Sequence, residues 1–280
     1  MPANHESGVP SYSLGHSDRE LKRLSVQARL IEPITRRFLV EGGIREGMRV
    51  LDVGSGVGDV AFLVADLVGP GGSVVGADRA DNALAVARQR AMAKSLTNVE
   101  FREGDPAEID FGEPFDAAVG RYVLMFQRDP VALVRGAARH VRIGGSVVFH
   151  EPYRGGIRSF PPIASYDRGW QQVDETLRQT GADPTMGIKL HSTFVRAGLP
   201  SPTMSMQSLI AGGNCSEHVH FEMDLAKTLF PEMVRLGIVR DGDPGVDALP
   251  GEVISELAAG DGVIVGRSEV AAWTQIARAI

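Results

Sequence analysis

Between residues 48 and 151 the chain alternates two kinds of apolar pattern. Short, nearly unbroken apolar runs at 49–53, 73–77, 99–102, 115–119 and 146–150 predict β-strands. The stretches at 59–67, 81–94 and 130–141 space their apolar residues as one face of a helix and predict helices. Asp129 followed by Pro130 supplies an N-cap and a first helical residue for the last of these. Strands that are apolar on both faces must be covered on both faces. The alternation therefore predicts an α/β fold: a doubly wound, mostly parallel sheet with helices on either side.

The flanks change rhythm. Residues 1–16 are polar, and Ser17-Asp18-Arg19-Glu20 reads as a capping box with Ser17 as N-cap. Leu21, Leu24, Ala28 and Leu30-Ile31 continue a helical spacing; Pro33 ends that helix or starts the next, which runs to Gly42-Gly43. Residues 152–185 read as irregular, punctuated by Gly155-Gly156 and Pro161-Pro162. A helix is expected near 186–197, a strand near 203–211, helical stretches near 217–238 and 247–259, and a last strand near 262–267. Those additions bring the sheet to seven strands. The expected organisation is a helical extension over 1–40 and a single domain over 41–280, with its core at 48–151.

Composition narrows the class without deciding it. A chain of 280 residues with 43% hydrophobic and 23% charged residues is ordinary for a globular protein. Its formal charge of -6 argues against nucleic acid as a partner. No apolar run reaches the ~18 residues of a membrane span, and the opening residues lack a basic-then-apolar secretory pattern. A cytoplasmic protein with no membrane partner is the expectation. Cys215, the single cysteine, can form neither an internal disulfide nor a thiolate metal cluster alone. Glycine, at 33 residues, exceeds the usual share of ~7%, so its placement matters.

The strongest local signal is Val50-Leu51-Asp52-Val53-Gly54-Ser55-Gly56-Val57-Gly58-Asp59, a strand that enters a helix through alternate glycines. Glycine lets the chain turn sharply and lets a ligand touch bare backbone, while a helix start offers unpaired N–H groups. The spacing is neither the dinucleotide G-x-G-x-x-G nor a phosphate loop ending in G-K-[ST]. Asp52 at the strand end sets an anionic group at the mouth, which suits a cationic ligand better than a pyrophosphate. Asp78 ends the second strand, where an acid accepts hydrogen bonds from ribose hydroxyls in nucleoside-binding sheets.

With these motifs in order, the chain resembles a class I S-adenosylmethionine (SAM)-dependent methyltransferase of the small-molecule type, over the whole of 48–151. The resemblance implies that Gly54, Gly56 and Gly58 make room for the methionine part of SAM, with Asp52 and Ser55 of the same motif also cofactor-binding. It implies that Asp78 binds the ribose, with Arg79 beside the adenine. Phe101-Arg102-Glu103-Gly104-Asp105 resembles the third-strand motif, in which Asp105 accepts from the adenine amino group. Phe115-Asp116-Ala117-Ala118-Val119-Gly120-Arg121 resembles the fourth, with Gly120 and Arg121 under the cofactor. Val141-Arg142-Ile143-Gly144-Gly145 resembles the turn into the fifth strand. One departure stands out: Pro106 follows the adenine-binding acid and has no N–H to give, so either Ala107 supplies that bond or it is absent.

Arg121, Tyr122, His150 and Glu151 fall at strand ends around the mouth. His150 is the expected general base, because imidazole titrates near neutrality, and Glu151 is the second candidate. Each has an equally good structural use, as a loop-holding histidine or a helix cap. The position after the fourth strand reads Gly120-Arg121-Tyr122-Val123, unlike the Asn/Asp-Pro-Pro-aromatic run of nucleic-acid amino-methylating relatives. Cys215 lies far from where a cytosine methylase carries its nucleophile. Tyr153, Phe160, Tyr166, Trp170, Met186, Met125 and Phe126 offer apolar walls for a small organic acceptor, although such residues more often simply pack a core. The expected activity is methyl transfer to an oxygen or nitrogen of that acceptor, with residues 1–40, 152–185 and part of 215–260 forming a lid. Tyr12 and Gln27 are candidates to reach the carboxylate end of SAM. A non-methylating enzyme of the same fold, or a catalytically silent binding protein, is the alternative. His218 and His220 flank Val219 on a predicted helix, where that spacing points them apart, so no metal is expected. Oligomeric state leaves no mark in the sequence.

Overall fold

The computed structural model describes residues 18–212, 216–242 and 245–278. In chain order the elements are α1 (Asp18–Glu41), β1 (Arg49–Val53), α2 (Asp59–Val68), β2 (Ser73–Asp78), α3 (Asp81–Ala93), β3 (Val99–Glu103) and β4 (Phe115–Arg121). A short 3-10 turn (Leu124–Phe126), α4 (Pro130–Arg139), β5 (Val141–Tyr153), β6 (Arg158–Phe160) and α5 (Ala164–Gln179) follow. The chain then forms α6 (Met186–Arg196), β7 (Thr203–Gly212), α7 (Ser216–Arg235), α8 (Gly245–Ala259) and β8 (Val263–Gln275).

Five parallel strands in the order β3-β2-β1-β4-β5 form the first part of the sheet. β8 runs antiparallel along β5, β7 pairs antiparallel with its other edge, and β6 pairs only with residues 263–265 of β8. The sheet thus has eight strands, the short β6 being the one added to the expected seven. The strand order reverses between β1 and β4, which opens a crevice at their carboxyl ends.

Period-2 alternation sends neighbouring strand residues to opposite faces. Val50 packs with Val60, Val64, Leu84 and Phe101 under α2 and α3, while Leu51 and Val53 join the core formed with α4 to α8. A third cluster unites Ile31, Ile34 and Phe38 of α1 with Phe221 of α7 and Ala271 of β8. No helix among the described residues is long and apolar enough to cross a membrane.

Three local expectations change. Pro33 neither ends nor starts a helix: α1 runs through it from Asp18 to Glu41, held by the buried Ile31, Ile34 and Phe38. Residues 152–185 are not irregular but contain β6 and the 16-residue α5, whose Tyr166, Trp170, Val173 and Leu177 form one buried stripe. The Gly144-Gly145 turn lies inside β5, with Gly144 at φ 79° and a register shift against β4. Asp129 caps α4 as expected, accepting from the Ala132 N–H at 3.0 Å. Ser17, Tyr12, Cys215 and Asp243-Pro244 lie outside the described residues.

Candidate active site

The loop from Gly54 to Gly58 is stapled to the tip of the neighbouring strand. Gly54 and Ser55 N–H both donate to the Ala77 carbonyl (2.8 and 3.1 Å), and Gly56 N–H donates to Asp78 Oδ2 at 2.9 Å. Arg90 of α3 secures the far side, donating to Val57 O at 2.6 Å and Asp59 Oδ1 at 2.7 Å. Gly54, Gly56 and Gly58 have φ of 69°, 51° and 89°, the left-handed region. A Cβ at Gly54 would stand 2.5 Å from Val123, and one at Gly58 would stand 2.8 Å from Phe62. At Gly56 it would meet none of the described atoms within 4 Å, so this residue turns bare backbone toward open space.

Charge at this cradle is unbalanced. Asp52 is 1% exposed, and neither its Oδ2 nor the buried Ser55 Oγ has a hydrogen-bond partner among the described residues. Burial pushes the Asp52 carboxyl up to about 7, and Asp78 adds to this, while Arg121 and the Ala61 backbone oppose it. Asp78 Oδ1 accepts from the Ala80 N–H at 2.9 Å. At the next strand tip Arg79 pairs with Asp105, whose Oδ1 accepts from the Ala107 N–H at 2.9 Å.

A second polar centre gathers on the α1–α7 face. Glu269 of β8 accepts from Tyr122 Oη (2.6 Å) and His150 Nε2 (2.8 Å) on Oε2, and from Arg267 Nε (2.9 Å) on Oε1. Burial alone would raise Glu269, but Arg267 and the His150 and Tyr122 hydrogen bonds hold its carboxyl down at about 2. Burial, reinforced by Glu269, pushes the Tyr122 hydroxyl up. Burial also lowers His150, outweighing Glu269.

Because a carboxylate only accepts, Nε2 carries the His150 proton and Nδ1 faces Thr35 Oγ1 at 3.3 Å. Thr35 donates to Ile31 O at 3.1 Å and accepts from Arg121 Nη1 at 3.2 Å. The imidazole is also packed edge-to-face by Phe38 and Tyr122. Tyr122 itself sits at φ 55°, a strained conformation for a tyrosine and one often held at functional sites. Glu151 has a different use: it accepts from Val123, Leu124 and Met125 N–H at 2.9, 2.7 and 3.2 Å and so caps the 3-10 turn. Burial pushes its carboxyl up to about 8 against those three donors.

A family model described as a methyltransferase domain matches residues 44–195, more than half of the chain. The chain belongs to the class I SAM-dependent methyltransferases. It is 35% identical over 119 residues to a ubiquinone/menaquinone biosynthesis C-methyltransferase of Pseudomonas putida, covering 41% of this chain and 46% of that one. It is 27% identical over 195 residues to a demethylmenaquinone methyltransferase of Shouchella clausii, covering 63% and 79%. The match to the Pseudomonas relative thus spans about half the length of that protein. Among solved structures, the [4+2]-cyclase SpnF aligns at TM-score 0.54 and 21% identity, over 89% of this chain and 82% of that one. That likeness is one of fold alone.

The residues of this chain fit SAM, the cofactor of its family. Bare backbone at Gly56, the Asp52 Oδ2 and Ser55 Oγ that lack partners among the described residues, and acids on successive strand tips suit a cationic nucleoside. Pro106 and Ala107 offer it no backbone donor: the first lacks an N–H and the second spends its own on Asp105. Gly120 is required by packing, since a Cβ would stand 2.7 Å from Phe149. Of the expected acceptor walls, Phe160 is 77% exposed, whereas Tyr166, Trp170, Met186 and Met125 are buried in the core. Thr35, Arg267 and Glu269 were not read from the sequence. Two opposite charges at i and i+2, Arg267 and Glu269, set among the mainly apolar residues of the last strand, were the available signal for those two.

Proposed function

We propose that this chain moves the methyl group of SAM to a small, partly apolar acceptor. The transfer goes to an oxygen or nitrogen, or to a carbon that a neighbouring hydroxyl makes nucleophilic. The observation that carries the reading is the cradle: open backbone at Gly56 beside a buried carboxylate, Asp52, whose Oδ2 has no hydrogen-bond partner among the described residues. When bound, SAM supplies an electrophilic methyl carbon on a positively charged sulfur. Asp52 and Asp78 favour that cation and its ribose, and Arg79 with Asp105 edges the adenine side. The main task left to the protein is alignment, which can contribute much of the barrier reduction.

His150, oriented by Glu269, is the proposed proton acceptor through Nδ1, and the displacement of Thr35 would open it to an acceptor hydroxyl. Glu151 holds the turn that carries Tyr122 and Val123 and is assigned no proton transfer. α5, α7 and α8 pack on one another, α1 packs on α7 and β5, and these four helices are the proposed cover that excludes water. The C-methyltransferase name of one relative supports including carbon among the acceptor atoms.

The test is a calorimetric titration with SAM and S-adenosylhomocysteine, followed by tritiated-methyl transfer to a panel of phenols, hydroquinones, amines and carboxylates. Saturable cofactor binding and a labelled product from at least one class are expected. Binding without transfer to any class would sink the methyl-transfer reading and select a non-methylating enzyme or a silent binder.

A further inference from the structure

A separate group of buried polar atoms lies between α5, α7 and β8, beyond Arg267. His218 and Glu222, one turn apart on α7, are 7% and 2% exposed and approach each other only to 3.9 Å. Arg154, just after β5 and 3% exposed, donates through Nε to Asp174 Oδ1 at 2.5 Å and lies 4.1 Å over the Trp170 ring. Even so, Arg154 Nη2, His218 Nε2 and Glu222 Oε2 all lack a hydrogen-bond partner among the described residues. Gly266 lets β8 come up against these side chains: a Cβ there would stand 2.5 Å from Glu222 Oε1 and 3.3 Å from His218 Nε2.

Folded proteins pair nearly all of their buried polar side-chain atoms, and an unpaired one is destabilising. Three such atoms, two from one turn of α7 and one from the segment after β5 whose charge acts on Glu222, mark a site whose partner arrives with a ligand. The charges select its class. Arg154 is neutralised by Asp174 and Arg267 by Glu269, and Arg267 has its donors on Glu269 and Tyr122. Burial lowers His218 and raises Glu222, so neither favours its charged form. A ligand carboxylate would crowd Glu222, and a ligand ammonium would face two guanidiniums. A hydroxyl avoids both: its oxygen accepts from Arg154 Nη2 while its hydrogen goes to His218 Nε2 or Glu222. Among the described residues no three or more His, Cys, Asp or Glu side chains gather to hold a metal ion.

We propose that Arg154, His218 and Glu222 anchor a phenolic or enolic hydroxyl of the methyl acceptor. The proposal rests on the small-acceptor reading above and names the group by which that acceptor is held. The Trp170 ring under Arg154 and the Tyr166 ring edge-on to it supply the adjoining aromatic wall.

The probes are 2-naphthol, its methyl isostere 2-methylnaphthalene, and 2-naphthoate, titrated calorimetrically into the full chain and into Glu222→Leu and His218→Leu. S-adenosylhomocysteine is titrated in the same series. About a tenfold preference for naphthol over methylnaphthalene is expected in the unaltered protein, the size of one net hydrogen bond. That preference should vanish in both leucine variants, with S-adenosylhomocysteine affinity unchanged. Their melting temperatures should not fall, since each variant replaces an unpaired buried polar group with hydrocarbon. Equal binding of naphthol and methylnaphthalene, tightest binding of naphthoate, no binding of any naphthyl probe, or a preference that survives in the variants would overturn the anchor. Lost melting temperature in both variants would assign the cluster to structure and overturn it too. Failure of S-adenosylhomocysteine alone would instead count against the cofactor reading.

Discussion

The Gly54–Gly58 cradle and the Glu269 centre are both buried, both charged, and joined through Arg121 and Thr35, yet they treat charge in opposite ways. Glu269 is saturated, taking a hydroxyl, an imidazole and a guanidinium on its two oxygens. Asp52 is equally buried and keeps an oxygen without a partner among the described residues. A saturated centre holds its own geometry and orients His150 and Tyr122. An unsaturated one stores an interaction for something that arrives, and the cradle is therefore where a cation belongs.

The largest effect that sharpens this contrast is Glu269→Ala. Removing the carboxylate leaves Arg267 buried without its counter-ion, and a loss of about 3–5 kcal/mol is expected in urea denaturation. A loss under about 1 kcal/mol would mean that the centre is not the self-sufficient unit described.

Asp52→Asn should act in the opposite direction on the ligand-free protein. The Asp52 carboxyl is raised from 3.8 to about 7 by burial, so its contribution to stability is fully present below about pH 4 and lost as pH rises toward 7. The asparagine variant should be more stable by about 2–4 kcal/mol at pH 8 and should show a flatter stability profile between pH 4 and 7. It should also lose much of any preference for SAM over its neutral demethylated product. Glu269, lowered from 4.5 to about 2, has the reverse dependence: its contribution is present above 4.5 and is lost as pH falls toward 2. An unchanged pH profile in Asp52→Asn would contradict the unbalanced cradle.

Smaller changes separate ligand binding from folding. Asp78→Ala should weaken SAM binding by about 1–3 kcal/mol in calorimetry, and unchanged affinity would remove the ribose assignment. Gly56→Ala should cost about 1 kcal/mol of stability, because alanine is strained at a positive φ. SAM affinity should drop alongside, because a methyl group would fill the bare backbone face. Equal affinity would place the cofactor elsewhere.

The cradle was legible because its determinants are local. One apolar strand, alternate glycines and an acid at the next strand tip are read from a continuous stretch, and β1 has the expected bounds of Arg49–Val53. The Glu269 centre was not legible because it joins α1, β4, β5 and β8, and only the tertiary fold sets Thr35 and Glu269 against His150. Pro33 misled for a related reason: proline weakens a helix locally, but Ile31, Ile34 and Phe38 are buried against α7 and β8. The α5 stripe of Tyr166, Trp170, Val173 and Leu177 was present in the sequence but obscured by the Pro161-Pro162 and Gly155-Gly156 breaks before it.

The most direct test of the cradle is a calorimetric titration of the folded chain with SAM and with S-adenosylhomocysteine, at pH 8, where Asp52 is charged. One saturable site that prefers the cationic compound, with the preference reduced in Asp52→Asn, is the expected result. No saturable uptake of either compound by protein that circular dichroism shows to be folded would contradict it.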